Sequence, residues 1–191
     1  MRKQIVTKII QTIIIAAAYF VLTYIANAFQ LANGLNFQLR ISDALTVLPY
    51  YTPAAIPGLF LGCLSANYAM HLPMQDVIYG SLATLVSAII SYLLRKKKFL
   101  VPVPPIIIIA FTVPAVYTFL LGFDEPPFWR SVFMVGAGEA VTCGVLGIAL
   151  LLGLEEYRDK LFPSGKDTTE DEETAVKTEE EKDKAGDEIN V

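Results

Sequence analysis

The stretch Ala44-Leu-Thr-Val-Leu-Pro49-Tyr-Tyr-Thr-Pro53-Ala-Ala-Ile-Pro57-Gly-Leu-Phe-Leu-Gly62-Cys-Leu-Ser-Ala-Asn67-Tyr-Ala-Met70 decides the fold, because it carries no charge yet is punctuated by three prolines. Each proline removes a helical hydrogen bond, so the run is either one irregular membrane crossing or two shorter ones. Its surroundings are equally apolar: Ile9 to Leu39, Val77 to Leu94 and Phe99 to Phe123 are uncharged, and Ser131 to Leu154 holds one charge, Glu139. A helix needs roughly 20 apolar residues to cross the hydrocarbon core, and these stretches reach that length. With 54% hydrophobic residues among 191, the chain reads as an integral membrane protein. The first stretch is followed by more hydrophobic ones and carries Ala16-Ala17-Ala18 in its middle, so it reads as a span and not as a cleaved signal.

Basic residues choose between the two topologies. One crossing over 44–70 makes five helices and divides Lys and Arg seven to four: Arg40, Arg95 to Lys98, Arg158 and Lys160 against Arg2, Lys3, Lys8 and Arg130. Two crossings make six helices and leave only Arg40 and Arg130 opposite the other nine. The positive-inside rule favours the second. The expected architecture is therefore an all-α membrane protein, a compact bundle of six transmembrane helices with both termini cytoplasmic. The spans run Ile5 to Phe29, Phe37 to Tyr51, Pro53 to Leu72, Met74 to Leu94, Val101 to Gly122 and Pro127 to Lys160. The short second span brings Arg40 and Asp43 near the outer boundary, facing protein or water.

Two regions differ in charge. Residues 1–163 hold 11 Lys/Arg against 8 Asp/Glu, whereas residues 164–191 hold 4 Lys against 11 Asp/Glu. The first is expected to be the membrane domain and the second a disordered, solvated acidic cytoplasmic tail.

Catalysis finds little support. No P-loop occurs, so the chain does not supply an ATPase of that kind. The single histidine, His71, rules out a His-rich metal site and sits poorly for a Ser-His protease. Cys63 and Cys143 lie within expected spans and read as small packing residues. Neither a dinucleotide fingerprint nor a nucleic-acid-binding surface is present. The chain is expected to be no enzyme, to need no cofactor or metal, and to bind no nucleic acid.

Small residues recur every fourth position at Gly58, Gly62 and Ala66, at Gly80, Thr84 and Ala88, and at Gly136, Ala140 and Gly144. Such stripes let helix backbones approach closely, and packing within the chain is their favoured reading. Thr12, Ala16, Ala17 and Ala18 form a similar patch on the first helix, open to a partner subunit. Polar residues gather at the expected outer half: Asn27, Arg40, Ser42, Asp43, Asn67, Gln75, Asp76 and, deeper, Glu139. A carboxylate in hydrocarbon needs a proton, a cation or strong donors, so Glu139 is expected to point inward as a solute-binding or helix-linking group. Arg40 and Asp43 are candidates for a salt bridge or for ligand contact, and Asp76 for ligand contact or helix N-terminal stabilisation. Tyr24, Tyr68, Tyr79, Phe123, Phe128 and Trp129 suit the interfacial aromatic belt, with one or two left to stack on a planar ligand.

Arg40-Ile-Ser-Asp43-Ala-Leu-Thr-Val-Leu-Pro49, Thr52-Pro-Ala-Ala-Ile-Pro-Gly-Leu-Phe-Leu-Gly62-Cys-Leu-Ser-Ala-Asn67 and Gly80-Ser-Leu-Ala-Thr-Leu85 closely resemble the QueT family. The resemblance covers about Ile13 to Leu161. It implies a substrate-binding S component of an energy-coupling factor (ECF) transporter in a bacterial cell membrane, partnered by a transmembrane coupling protein and two cytoplasmic ATPases. It further implies a queuosine precursor as solute, a 7-deazaguanine base or related nucleoside. S components typically meet the coupling protein through Ala-x-x-x-Ala on the first helix; the corresponding residues here are Thr12-x-x-x-Ala16 with Ala17 adjoining. For such a ligand, Glu139 or Asp43 suits the adjacent N–H donors, Arg40 or Asn67 the carbonyl, Trp129 or a tyrosine the ring, and Asp76 an amine substituent. Alternatives are an S component for another vitamin or nucleobase and a membrane salvage enzyme acting on the same compound.

Overall fold

The computed structural model describes residues 2–29 and 39–157. The expected tail, 164–191, the start of the second span at Phe37 and the end of the last at Lys160 lie outside the described residues. Among the described residues all regular structure is helical. Helix α1 spans Arg2–Ala28, α2 Ala55–Ala69, α3 Met74–Leu93, α4 Val103–Ala115, α5 Phe128–Glu139 and α6 Gly147–Glu155. A 3-10 segment, Ile41–Tyr50, lies between α1 and α2, and π turns close α4 at Val116–Leu120 and join α5 to α6 at Ala140–Leu146. Among the described residues, four helical runs are long and apolar enough to cross a membrane: Ile5–Ala28, Met74–Lys96, Lys98–Leu120 and Phe128–Glu155.

Proline positions explain several boundaries. Pro57 in α2, and Pro104 and Pro105 in α4, fall in first turns, where backbone N–H groups have no intrahelical acceptor to lose. Helix α2 is shorter than the expected Pro53 to Leu72; it gives way to a turn in which His71 takes a φ of 55°. Helix α3 begins at Met74, as expected, and ends one residue before Leu94.

The second span departs from expectation. An α-helix over Phe37 to Tyr51 was indicated, whereas Ile41–Tyr50 forms a narrower 3-10 helix. Its bonds reach back three residues at both ends, from Asp43 N–H to Arg40 O (2.8 Å) and from Tyr51 N–H to Leu48 O (2.9 Å). The Thr46 hydroxyl also donates to Asp43 O at 2.6 Å, and Pro49 has no N–H for a longer-range bond. At a rise of ~2 Å per residue, ten residues cover about 20 Å. Seven of the ten are buried, so this segment is an axis of the bundle rather than a lipid-facing helix.

Neighbouring glycines fix the register. Gly58 lies against Thr12 and Ile15, and Gly62 against Ala16 and Tyr19, so α1 and α2 run parallel. Two parallel helices consecutive along the chain require a return path, and the 3-10 segment lies on it. Helices α2 and α3 are antiparallel, pairing Cys63 with Thr84 and Asn67 with Gly80. The 3-10 segment runs parallel to the last helical run, pairing Asp43 with Cys143, Val47 with Gly147 and Tyr51 with Leu151. Gly136 faces Ala110 and Gly144 faces Ile106, so the small-residue stripes pack within the chain.

The outside is apolar and the inside partly polar, the reverse of a soluble protein. Ile13, Phe111, Phe119, Phe133 and Val145 are exposed, while Thr23, Ser42, Thr46, Ser81, Ser87 and Thr142 are buried. Such a surface is matched to lipid, and backbone polar groups are satisfied inside helices. The chain is a multi-pass membrane protein.

A Cβ on Gly62 would stand 2.7 Å from Tyr19 Cβ and 2.9 Å from the Ala16 carbonyl, whereas nothing lies within 4 Å at Gly153. Gly62→Leu is expected to destabilise the protein by about 1–3 kcal/mol, and Gly153→Ala to leave it unharmed. Thermal unfolding midpoints in detergent check both; equal midpoints for the two variants contradict the α1–α2 register.

Candidate functional site

Four elements converge on a buried polar cluster. The 3-10 segment and the residue before it present Arg40, Ser42 and Asp43; the paired α2 and α3 present Asn67 and Asp76; the end of α5 presents Glu139. Exposure of these charged residues is 8% for Arg40, 1% for Asp43, 4% for Asp76 and 0% for Glu139.

Arg40 donates from a terminal guanidinium nitrogen to Asn67 Oδ1. The Asn67 amide donates in turn to Cys63 Sγ at 3.5 Å, which also accepts from the Thr84 hydroxyl at 3.5 Å. Arg40 therefore forms no salt bridge with Asp43: among the described residues no carboxylate lies within 4 Å of its guanidinium, although both Asp43 and Asp76 act on it electrostatically. Tyr19, wholly buried on α1, donates its hydroxyl to Asp43 Oδ1. Cys143 sits within donating distance of Asp43 O (3.3 Å) and Glu139 Oε2 (3.1 Å) and contacts the Thr46 hydroxyl at 3.4 Å. The Tyr117 hydroxyl donates to Asp76 Oδ2 at 3.3 Å.

The cluster is incompletely satisfied. Among the described residues, Ser42 Oγ, Asp43 Oδ2, Asp76 Oδ1 and Glu139 Oε1 are buried without a hydrogen-bond partner. An unpaired buried polar atom costs on the order of 1–3 kcal/mol, more when charged, so a molecule that donated hydrogen bonds to these oxygens would recover that cost. Gly80 shapes the space beside it: a Cβ there would stand 3.4 Å from both Asn67 Nδ2 and Asp76 Oδ1. Asp76 lies in the first turn of α3 but caps no backbone amide with its side chain.

The structure brings together Arg40, Asp43, Asn67, Asp76 and Glu139. Trp129 stands apart: it is 71% exposed, with its ring edge-on to Phe111 (6.4 Å) and Phe128 (5.1 Å). Asn27 is half-buried and Gln75 exposed. Tyr24, Tyr68, Tyr79 and Phe123 are exposed, as belt residues are. Sequence reading missed Tyr19, Tyr117 and the polar roles of the thiols. The available signals were the buried stripe Ile15, Tyr19, Thr23 and Ala26 at helical spacing, where a tyrosine hydroxyl needs a partner, and the four-residue offsets of Cys143 from Glu139 and of Cys63 from Asn67.

Thr12, Ala16 and Ala17 line a shallow groove of about 350 Å³ on the α1–α2 face, together with Phe20, Leu61 and Ser65. Thr12 is partly engaged within the chain, donating to Ala54 O at 3.1 Å, and the Ala16 backbone underlies Gly62. Ala17 is exposed.

The family model described as QueT transporter matches residues 9–156. The chain belongs to the QueT transporter family. No curated protein and no solved structure matches it.

Tyr19→Phe removes the one hydroxyl donated to Asp43 and leaves Oδ1 without that donor, an expected loss of about 1–3 kcal/mol. Tyr24→Phe, on the exposed face, is expected to change little. Unfolding midpoints of the two variants in detergent check this, and equal midpoints contradict the described bond.

Proposed function

We propose that this transporter is the substrate-specific S component of an ATP-driven ECF importer, binding a 7-deazaguanine queuosine precursor in the polar cluster and delivering it to a coupling protein and two ATPases in a bacterial cell membrane. The observation that carries the reading is a set of buried carboxyl oxygens without donors beside a buried arginine, inside a bundle of a transporter family. Ionisable groups at such depth mark solute pathways.

The chemistry of a guanine-like edge complements these groups. Its adjacent N–H donors suit a carboxylate, and its carbonyl suits Arg40, which has N–H groups beyond the one given to Asn67. Tyr19 or Tyr117 is better positioned than the exposed Trp129 to contact the ring. Six crossings with both termini cytoplasmic accord with the parallel α1–α2 register and with the ion pair of Lys98 and Glu155, which joins the α3–α4 connection to the end of α6 at one face. Docking of the coupling protein belongs to the groove at Thr12, Ala16 and Ala17, where small side chains permit close helix approach.

Purified protein in detergent is expected to bind 7-deazaguanines without nucleotide and return them chemically unchanged; chemical conversion would indicate a salvage enzyme. Binding of riboflavin, thiamine or biotin with indifference to deazapurines contradicts the solute assignment. Glu139→Gln replaces an acceptor with a donor amide and is expected to weaken binding about ten- to hundred-fold. Ala17→Trp is expected to abolish uptake while sparing binding, because a large side chain separates surfaces that little else holds together in lipid. Equal loss of both makes Ala17 a packing residue. Cysteines introduced at Glu125 and Lys97 are expected to label from opposite sides of the membrane.

A further inference from the structure

The connection between α3 and α4 carries four consecutive cations, Arg95-Lys96-Lys97-Lys98. Two 3-10 turns, Leu94–Lys96 and Lys98–Leu100, meet at the extended Lys97, whose N–H donates to Leu94 O and whose carbonyl accepts from Leu100 N–H, both at 2.9 Å. The buried Ser91 hydroxyl donates to Val101 O at 2.7 Å and ties the end of α3 to the start of the next helical run. The cations are thereby held within a tight turn at the end of two apolar helices. Lys98 is taken up by Glu155 at the end of α6, and Arg95 lies over the Tyr92 ring, 4.2 Å from its centroid. Among the described residues Arg95, Lys96 and Lys97 have no ion-pair partner, which leaves three positive charges unneutralised in one turn.

The residues beside these cations narrow what can neutralise them. Leu93, 69% exposed, precedes the run and Phe99, 68% exposed, follows it, and Leu100 and Val103 carry the exposed apolar surface onto α4. An acidic protein surface would match the charges but meet large apolar side chains on both sides of them. A charged bilayer matches both at once, with acyl chains against Leu93 and Phe99 and phosphates at the depth of the ammonium groups. Lysine suits that boundary, because its stem lies along apolar surface while its head reaches the phosphates. The opposite end of α4 differs: its connection to α5 carries exposed Asp124 and Glu125 against Arg130.

We infer that the α3–α4 connection is a binding site for anionic phospholipid, in which Lys96 and Lys97, with Arg95 beside them, hold the headgroup while Leu93 and Phe99 pack on its acyl chains. Each basic residue close to an anionic membrane surface raises affinity several-fold, and the attraction fades within a screening length. The site is independent of the solute and of the transport reaction.

The chain's single tryptophan makes this measurable, because Trp129 is 71% exposed at the start of α5, at the other end of α4 from the basic turn. In the full-length protein it reports on lipid there, and the pair Trp129→Phe with Phe99→Trp moves the reporter to the basic turn. Quenching in mixed vesicles by brominated phosphatidylglycerol and brominated phosphatidylcholine gives the relative affinity of the two lipids at each position. At the basic turn phosphatidylglycerol is expected to be preferred at least about fivefold, and at Trp129 by less than about twofold. Adding Lys96→Gln and Lys97→Gln, both at exposed positions, is expected to bring the first preference below about twofold. Salt at about 1 M, where the screening length is ~3 Å, is expected to lower it at least about twofold without any change to the lysines. A preference near unity at the basic turn overturns the inference and leaves the cations to an acidic protein surface. Equal preference at both positions overturns it too, as does a preference that survives the two lysine substitutions. Displacement of the lipid by inorganic phosphate beyond that by chloride at equal ionic strength makes the turn a site for the free anion, and likewise overturns it.

Discussion

Everything in this bundle follows from placing Arg40, Asp43, Asp76 and Glu139 inside a protein whose outer surface must be apolar. Charged groups in such a setting are costly unless each finds partners within the protein or from a bound molecule. The chain meets part of that demand itself, through Asn67, Tyr19, Tyr117 and Cys143. The unmet part, one oxygen on each of three carboxyl groups among the described residues, is what the proposed solute would satisfy. On the proposed function, binding and stability are in tension at the same atoms: donors that fully satisfied these oxygens would stabilise the empty protein and remove its reason to bind.

The backbone arrangement serves that tension. A 3-10 helix is slimmer than an α-helix and fits at the centre of the bundle, where Gly147 lets it approach the last helical run: a Cβ there would meet Val47 Cγ1 at 2.8 Å. The π turns Ala140–Leu146 follow Glu139 directly and carry Cys143, so the widened turn lies where that run faces Asp43. Wide turns of this kind recur at functional sites because they displace side chains from the regular helical register. Close packing at Gly58 and Gly62 fixes α1 on α2, which holds Tyr19 opposite the 3-10 segment.

Much of this was legible in the sequence where the physics is local. Uncharged runs of membrane length without internal proline, such as α1 and α3, fall almost where hydropathy and charge put them. The four charged cluster residues were legible for a related reason, because a charge inside an apolar run, as Glu139 is, or at the edge of one, as Arg40, Asp43 and Asp76 are, has few places to go. The 3-10 pitch of Ile41–Tyr50 was not, since apolar composition does not distinguish reach-back by three from reach-back by four; Thr46, Pro49 and the burial of the segment among neighbouring helices favour it. Tyr19 and Tyr117 were hidden because a tyrosine in an apolar run reads equally as belt or packing. Trp129 drew attention by its stacking chemistry, yet α5 begins at the residue before it and leaves its ring exposed.

The most direct test of the central claim, that the unsatisfied carboxyl oxygens are the seat of the solute, is an experimental structure of the protein saturated with a 7-deazaguanine. The account predicts density for the ligand enclosed by Asp43, Glu139, Asp76 and Arg40, with N–H donors within hydrogen-bonding distance of Asp43 Oδ2, Glu139 Oε1 and Asp76 Oδ1. Density confined to the α1–α2 groove or to the aromatic surface at Trp129, with the cluster unchanged, would contradict it.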